Sequence, residues 1–194
     1  MDQRTNPDDP KAATDTKAAL DFVEQLFSIA KQPVFLCSLA NEENDPAEPT
    51  ERHIATRDHA EVGAFINKWD RAKRGVFFCV STIKANQKRN KDGVAEICFL
   101  HADIDFKDVI DDPDTILRRL KTLPLPPSLI VSSGNGYHIY WLFKESILVD
   151  GQETIERIEA ALKLVCDMVG GDILVTQVAA LNARRTRRVL VPAR

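Results

Sequence analysis

The chain predicts a mixed α/β (α+β) fold, with helices packed on a largely antiparallel sheet. Three observations lead there. Short apolar runs bounded by turn residues recur along the sequence and read as strands. Longer segments between them repeat apolar residues at helical spacing. Asn135-Gly136 sits between two apolar runs, and Asn-Gly in that setting is a strong hairpin signal.

The elements follow in order. Residues 1–14 are rich in Asp, Pro and Lys and read as a disordered lead-in. Over residues 15–30, Ala19, Phe22, Val23, Leu26, Phe27 and Ala30 recur at helical spacing, with Asp15 or Thr16 as the cap. Residues 33–39 read as a short buried strand, followed by a solvated acidic loop, NEENDPAEPTE. A short strand is expected over 54–57. Residues 58–73 carry the stripe Val62, Phe65, Ile66, Trp69 of an amphipathic helix that faces a core. Residues 75–83 and 95–105 read as strands joined by a basic loop, KANQKRNKDG. A helix over 111–123 opens with Asp112-Pro113. Strands over 128–133 and 137–143 flank the Gly134-Asn135-Gly136 turn, and a helix over 154–169 stops at Gly170-Gly171.

Composition narrows the function. The chain has 194 residues, 44% apolar and 28% charged, as in ordinary globular proteins. Such a length buries a real core without structural metal or disulfides. The net charge of -3 excludes a uniformly basic nucleic-acid coat while allowing a local patch. No apolar run reaches the roughly 18 residues of a membrane helix, and the polar N-terminus has no secretory pattern. Cys37, Cys79, Cys98 and Cys166 form no CxxC pair and read as reduced, buried thiols of a cytoplasmic protein. His53, His59, His101 and His138 form neither HxxxH nor HExxH.

Three places hold residues suited to chemistry. In Leu100-His101-Ala102-Asp103-Ile104-Asp105, side chains two apart on a strand point the same way. Asp103 and Asp105 then share a face with Phe99 and His101, while Cys98, Leu100, Ala102 and Ile104 line the opposite one. Two neighbouring carboxylates repel unless a cation or a proton intervenes. Hard divalent cations suit oxygen ligands, and substrate phosphates commonly complete the Mg²⁺ shell. The alternative is a strand that simply runs into an acidic turn. In Ser132-Ser133-Gly134-Asn135-Gly136-Tyr137-His138 the glycines permit close approach of a phosphate, and His138 can donate to it. The alternative is a hairpin with a half-buried histidine. After the last helix, Asp172 in Gly170-Gly171-Asp172 is either a third ligand or an ordinary turn residue. Lys84, Lys88, Arg89 and Lys91 of the basic loop are either a solvated tip or contacts to a phosphate backbone.

Together these features are the parts of a two-metal nucleotidyl-transfer site. In motif order, spacing and content the chain resembles the catalytic domain of the archaeo-eukaryotic primase superfamily, in particular RepB-type primases and primase-polymerases of plasmids, phages and integrated elements. FLHADID matches the hydrophobic-DxD motif, SGNGYHIYW the histidine motif SGxGxHxYW, and VGGD the acidic motif after an apolar helix. The resemblance runs from about residue 77 to 181. It implies an RRM-like sheet with a further α/β unit before it. It implies that Asp103, Asp105 and Asp172 hold Mg²⁺ or Mn²⁺ and that His138 contacts the phosphates of the incoming nucleotide. Ser133, Gly134 and Asn135 would shape the nucleotide pocket. The implied reaction is template-directed synthesis from NTPs or dNTPs. Single-stranded DNA and a replicative helicase are the implied partners, in a bacterial or phage-encoded cytoplasmic setting.

One departure stands out. The family's Arg-x-Pro-Gly-Thr-x-Asn segment after the third acidic motif is missing. The chain instead ends NARRTRRVLVPAR, with five arginines and no acid. Residues 15–181 are thus expected to form a truncated catalytic domain and residues 182–194 an atypical tail, from a shifted frame or a gene remnant. A basic tail that binds nucleic acid electrostatically is the other reading. The competing function is a non-catalytic or degenerate module that binds single strands on its sheet.

Overall fold

Helix α1 (Thr16–Leu26) buries Ala19, Phe22, Val23 and Leu26, the apolar stripe of the sequence. The chain then tightens rather than continuing the helix: the Ala30 N–H donates to Phe27 O at 2.9 Å. The structure, a computed structural model, describes residues 16–40, 50–70, 74–171, 176–183 and 188–192, with side chains described only as far as residue 180. The acidic loop at 41–49 therefore lies outside the described residues, as does the lead-in.

Two antiparallel four-stranded sheets form the frame. The first has the order β2-β1-β3-β7, from β1 (Val34–Ala40), β2 (Glu51–Thr56), β3 (Arg74–Thr82) and β7 (Leu181–Ala183). The second has the order β4-β6-β5-β8, from β4 (Glu96–Asp105), β5 (Leu129–Ser132), β6 (Gly136–Leu148) and β8 (Arg188–Pro192). The remaining helices are α2 (His59–Trp69), α3 (Pro113–Lys121) and α4 (Gln152–Val169). The sequence pattern anticipates this order up to α4. Beyond α4, β7 pairs with β3 and β8 with β5, so described stretches of the Arg-rich end add a strand to each sheet.

Local chemistry sets the helix ends. The Asp58 carboxylate accepts from the N–H groups of Ala60 and Glu61 and caps α2. Asp112 caps α3 through Asp114 and Thr115, with Pro113 in the first turn. Gly170 closes α4 in the left-handed region at φ 71°.

The core between the sheets is aromatic. Phe22 and Phe27 of the first segment meet Phe78 of β3, Phe99 of β4 and Tyr140 of β6 edge-on, with centroids 5.4–6.1 Å apart. Burying each such ring contributes roughly 2–3 kcal/mol. The opposite face of the second sheet packs Ala102, Ile104, Ile130, Ile139 and Trp141 against Ile116 and Leu120 of α3 and Val165 and Val169 of α4. Alternation along β4 breaks at a register shift between Ile97 and Phe99. Cys98 accordingly joins the cluster of Phe99, not the opposite face expected from strict alternation. All four cysteines are buried, and none is in a disulfide. Burial pushes the Cys37 and Cys98 thiols up to about 12, which makes them inert as nucleophiles. No helix among the described residues is long and apolar enough to cross a membrane.

A buried carboxylate ties the start of β4 to the rest. Glu96 is fully buried and accepts from the backbone N–H groups of Lys31 and Gln32, both at 2.9 Å. It also accepts from Ser146 Oγ at 3.1 Å and from Thr82 Oγ1 at 3.4 Å. One side chain thus links the α1–β1 connection, β3, β4 and β6. Glu96→Ala leaves two backbone donors and the Ser146 hydroxyl without this acceptor, while Thr82 Oγ1 keeps the Glu96 carbonyl at 3.4 Å. Urea unfolding of this variant is expected to show a loss of about 3 kcal/mol with an unchanged m-value.

Candidate active site

The end of β4 carries the candidate carboxylates, and the β4–β6 register decides what faces them. Asp103 pairs directly with His138, His101 with Tyr140, and Asp105 with Gly136. Asp103, Asp105 and His138 therefore share one face of the second sheet, the face that continues the inter-sheet core past Phe99, His101 and Tyr140. Asp103 Oδ1 lies 3.5 Å from His138 Nε2. The Asp103 side chain is 30% exposed and that of His138 8%. The sequence places the two residues 35 positions apart, and the antiparallel ladder brings them together.

The β5–β6 hairpin holds this pairing in place. The Ser133 N–H donates to Gly136 O at 3.0 Å, and the positive φ of 94° falls on Gly134. The two central residues are therefore Gly134-Asn135, with glycine first as in a type II′ turn. The sequence signal, Asn135-Gly136, finds the hairpin but misplaces its centre by one residue. The Asn135 carbonyl accepts from the Phe106 N–H at 2.8 Å and fastens the turn to the end of β4. Gly136 is demanded by space: a Cβ there would lie 2.0 Å from Ile104 O. Ser133 is partly buried, while Gly134 and Asn135 are exposed at the tip.

Electrostatics differ between the two carboxylates. Asp105 is held below the ordinary carboxylate range, first by its bond from Lys107. Asp105 Oδ2 lies 2.9 Å from Lys107 Nζ, and Oδ1 accepts from the Lys107 N–H at 3.2 Å. His138 titrates below the ordinary imidazole range because burial disfavours its charged form, and the Asp103 charge opposes that only in part. Tyr140 is wholly buried behind the pair, and burial together with the Asp103 charge pushes its phenol up.

The donor set suits a hard divalent cation, since two same-face carboxylates, each about a third exposed, offer oxygen ligands and an open side. Among the described residues there is no group of three or more His, Cys, Asp and Glu side chains that could hold a metal. The third expected ligand, Asp172, lies outside the described residues. Its neighbour Gly171 does reach the site: a Cβ on Gly171 would stand 2.8 Å from Asp103 O. The Gly171 N–H donates to Cys166 O at 2.8 Å, so the close of α4 directs the chain onto β4. The sequence pattern flags Gly170-Gly171 as a helix stop without this approach to Asp103.

The basic loop is not brought to the carboxylates. It joins β3 to the start of β4, roughly 25–30 Å along the strand from Asp105 by strand rise. Its cations also serve the fold. Lys84 Nζ donates to Asp92 O at 2.9 Å, Arg89 donates to Ala179 O at 2.7 Å, and Lys91 pairs with Glu159 at 2.8 Å. Lys88 is exposed on the same loop. Lys107 is the residue that sequence reading passed over. The available signal was its position two after Asp105, where a turn amide and a side-chain cation both reach the carboxylate.

The fold is similar to that of solved primase and primase-polymerase domains. The AEP domain of the cyanophage S-2L primase-polymerase is similar at a TM-score of 0.62 and 12% identity, over 89% of this chain and 86% of that one. The catalytic domain of primase RepB′, solved in complex with initiator DNA, is similar at 0.52 and 11% identity, over 89% and 82%. A structure of primase RepB′ is similar at 0.51 and 12% identity, with 85% of this chain matching 49% of that one. No protein-family model and no curated protein sequence matches the chain. The likeness is one of fold, and the fold class expected from sequence holds.

Two outcomes follow from the site geometry. Gly136→Ala forces a methyl into the Ile104 carbonyl and is expected to destabilise the protein by about 2–3 kcal/mol in chemical denaturation, with loss of the Asp103–His138 pairing by NMR. Because His138 holds its proton less tightly when folded, the unfolded chain binds more protons as pH falls below about 6.5. His138 therefore contributes a loss of stability as pH drops from there through its lower folded value. Denaturation of wild type and His138→Gln between pH 7.5 and 5 is expected to show this slope in wild type and a shallower one in the variant.

Proposed function

We propose that the chain is the catalytic core of a DNA primase or primase-polymerase, joining NTPs or dNTPs on a single-stranded DNA template in the replication of a plasmid or phage-like element. The observation that carries this reading is the cross-strand pairing of Asp103 with His138 beside Asp105, in a fold shared with primase-polymerase domains. In the proposed roles, Asp103 and Asp105 hold Mg²⁺ or Mn²⁺, and Asp172, the residue after Gly171, is the third ligand. The bound ions would supply positive charge that activates the attacking 3′-hydroxyl and stabilises the pyrophosphate leaving group.

The chain's own residues do the rest by position. His138, largely neutral at physiological pH, presents a donor nitrogen to a phosphate oxygen without carrying full charge into a buried place. Ser133, Gly134 and Asn135 border the face where a nucleotide would lie, and the exposed hairpin backbone admits phosphates closely. Tyr140 and Phe99 keep the ground behind the site rigid and dry, which holds Asp103 in a single geometry. DNA as the partner is supported by the RepB′ catalytic domain, solved with initiator DNA. Lys84, Lys88, Arg89 and Lys91 are proposed contacts to the strand at a distance from the chemistry, with Lys88 the most available. A replicative helicase is the proposed protein partner.

The test is incorporation of labelled nucleotides on single-stranded DNA with Mn²⁺ or Mg²⁺. Asp103→Ala and Asp105→Ala are expected to lower synthesis at least about a thousandfold while the thermal unfolding profile stays cooperative. His138→Ala is expected to raise the nucleotide KM more than it lowers kcat. Synthesis by Asp103→Ala at the wild-type rate would overturn the assignment. A folded wild-type protein that binds DNA but never incorporates nucleotides would make the domain a binding module.

A further inference from the structure

We propose that Lys107 is a nucleotide-contacting residue that neutralises Asp105 before a divalent cation binds and turns to the incoming triphosphate afterwards. This rests on the reading of Asp103 and Asp105 as metal ligands. Both oxygens of Asp105 are occupied from one residue: Oδ1 by the Lys107 N–H at 3.2 Å and Oδ2 by the Lys107 ammonium at 2.9 Å. Asp108 Oδ2 lies 3.9 Å from the same ammonium. Asp103 and Asp105 stand on one face two residues apart, so their mutual repulsion is relieved by a positive charge at this point.

The two bonds to Asp105 differ in what they can do. The amide bond belongs to the short turn Phe106–Asp108, which Asp105 caps, so it stays with the backbone. The ammonium is at the end of a flexible stem with three donors, and the side chain is 74% exposed. It can change partner without moving the turn. A divalent cation on Asp105 would repel the ammonium and claim the oxygen it holds. The substrate phosphates that complete such a cation's shell then offer the nearest new anion. Tethered two residues from Asp105, the ammonium stays within side-chain reach of them. Lys107 is therefore expected to weaken binding of the bare metal and strengthen binding of the nucleotide.

Those opposite signs make the test. Mn²⁺ binding to the full chain without nucleotide is titrated by the electron paramagnetic resonance signal of free Mn²⁺. Nucleotide KM and kcat are measured separately on single-stranded DNA. Lys107→Met is expected to bind Mn²⁺ about three- to fivefold more tightly, the size of an exposed ion pair. Its nucleotide KM is expected to rise about tenfold with kcat within about twofold, the size of a lost charge-assisted bond. Lys107→Arg is expected to restore the KM. An unchanged Mn²⁺ affinity or an unchanged KM in Lys107→Met would overturn the inference. An Asp103→Asn/Asp105→Asn variant run alongside separates the two levels. If it binds Mn²⁺ as wild type does, the metal reading itself fails. If it loses Mn²⁺ while Lys107→Met behaves as wild type, only the role of Lys107 fails.

Discussion

The register between β4 and β6 is the constraint from which the candidate site follows. In an antiparallel pair each residue faces one partner, and a slip of one position sends every side chain to the other face. Asp103 opposite His138 is one rung of that ladder, and His101 opposite Tyr140 is the next. Both ends are pinned. At the hairpin, Gly136 sits where any Cβ would strike the Ile104 carbonyl, and Asn135 holds Phe106. At the far end, Glu96 gathers donors from the α1–β1 connection, β3 and β6. The shift between Ile97 and Phe99 is absorbed between these anchors, away from the carboxylates.

The same strands explain why the site is both rigid and open. Phe99 and Tyr140 are locked edge-to-face with Phe22 and Phe27 between the sheets, so the rungs beside them have little freedom. Past the His101–Tyr140 rung the core ends, and Asp103 and Asp105 reach solvent. A carboxylate at such a boundary is open to water yet held by a packed strand. A histidine one strand inward is desolvated and sheds its proton. This division of burial across one ladder suits a site that gathers cations on one side and phosphates on the other.

Much of this was legible in the sequence. The caps at Asp58 and Asp112, the stop at Gly170, the α2 stripe and the strands of DxD and SGNGYHIYW are local signals that tertiary packing left in place. The misses are non-local or backbone matters. Asn135-Gly136 marked a hairpin, but the positive φ went to Gly134 because Gly136 was needed for close packing under β4. The basic loop read as either a solvated tip or a phosphate contact, and local pattern did not show that Arg89 and Lys91 also reach Ala179 and Glu159, distant in sequence. The strand pairing within the arginine-rich end, β7 on β3 and β8 on β5, is likewise a non-local matter that its composition did not signal. Asp172 remains a sequence assignment.

By itself the sequence determined which groups are present and their local directions. Alternation on a strand puts Asp103 and Asp105 on one face, and a helix stop puts Gly171 at a chain end. Neither signal says what those groups will meet. Only the tertiary structure decided that His138 stands across from Asp103, that Gly171 lands on the Asp103 carbonyl, and that Lys107 rather than the basic loop supplies the charge at Asp105. The physical reason is that these contacts form between segments whose relative placement costs chain entropy and is settled by burying Phe99, Tyr140 and their neighbours together. No local pattern encodes which rung of one strand will face which rung of another.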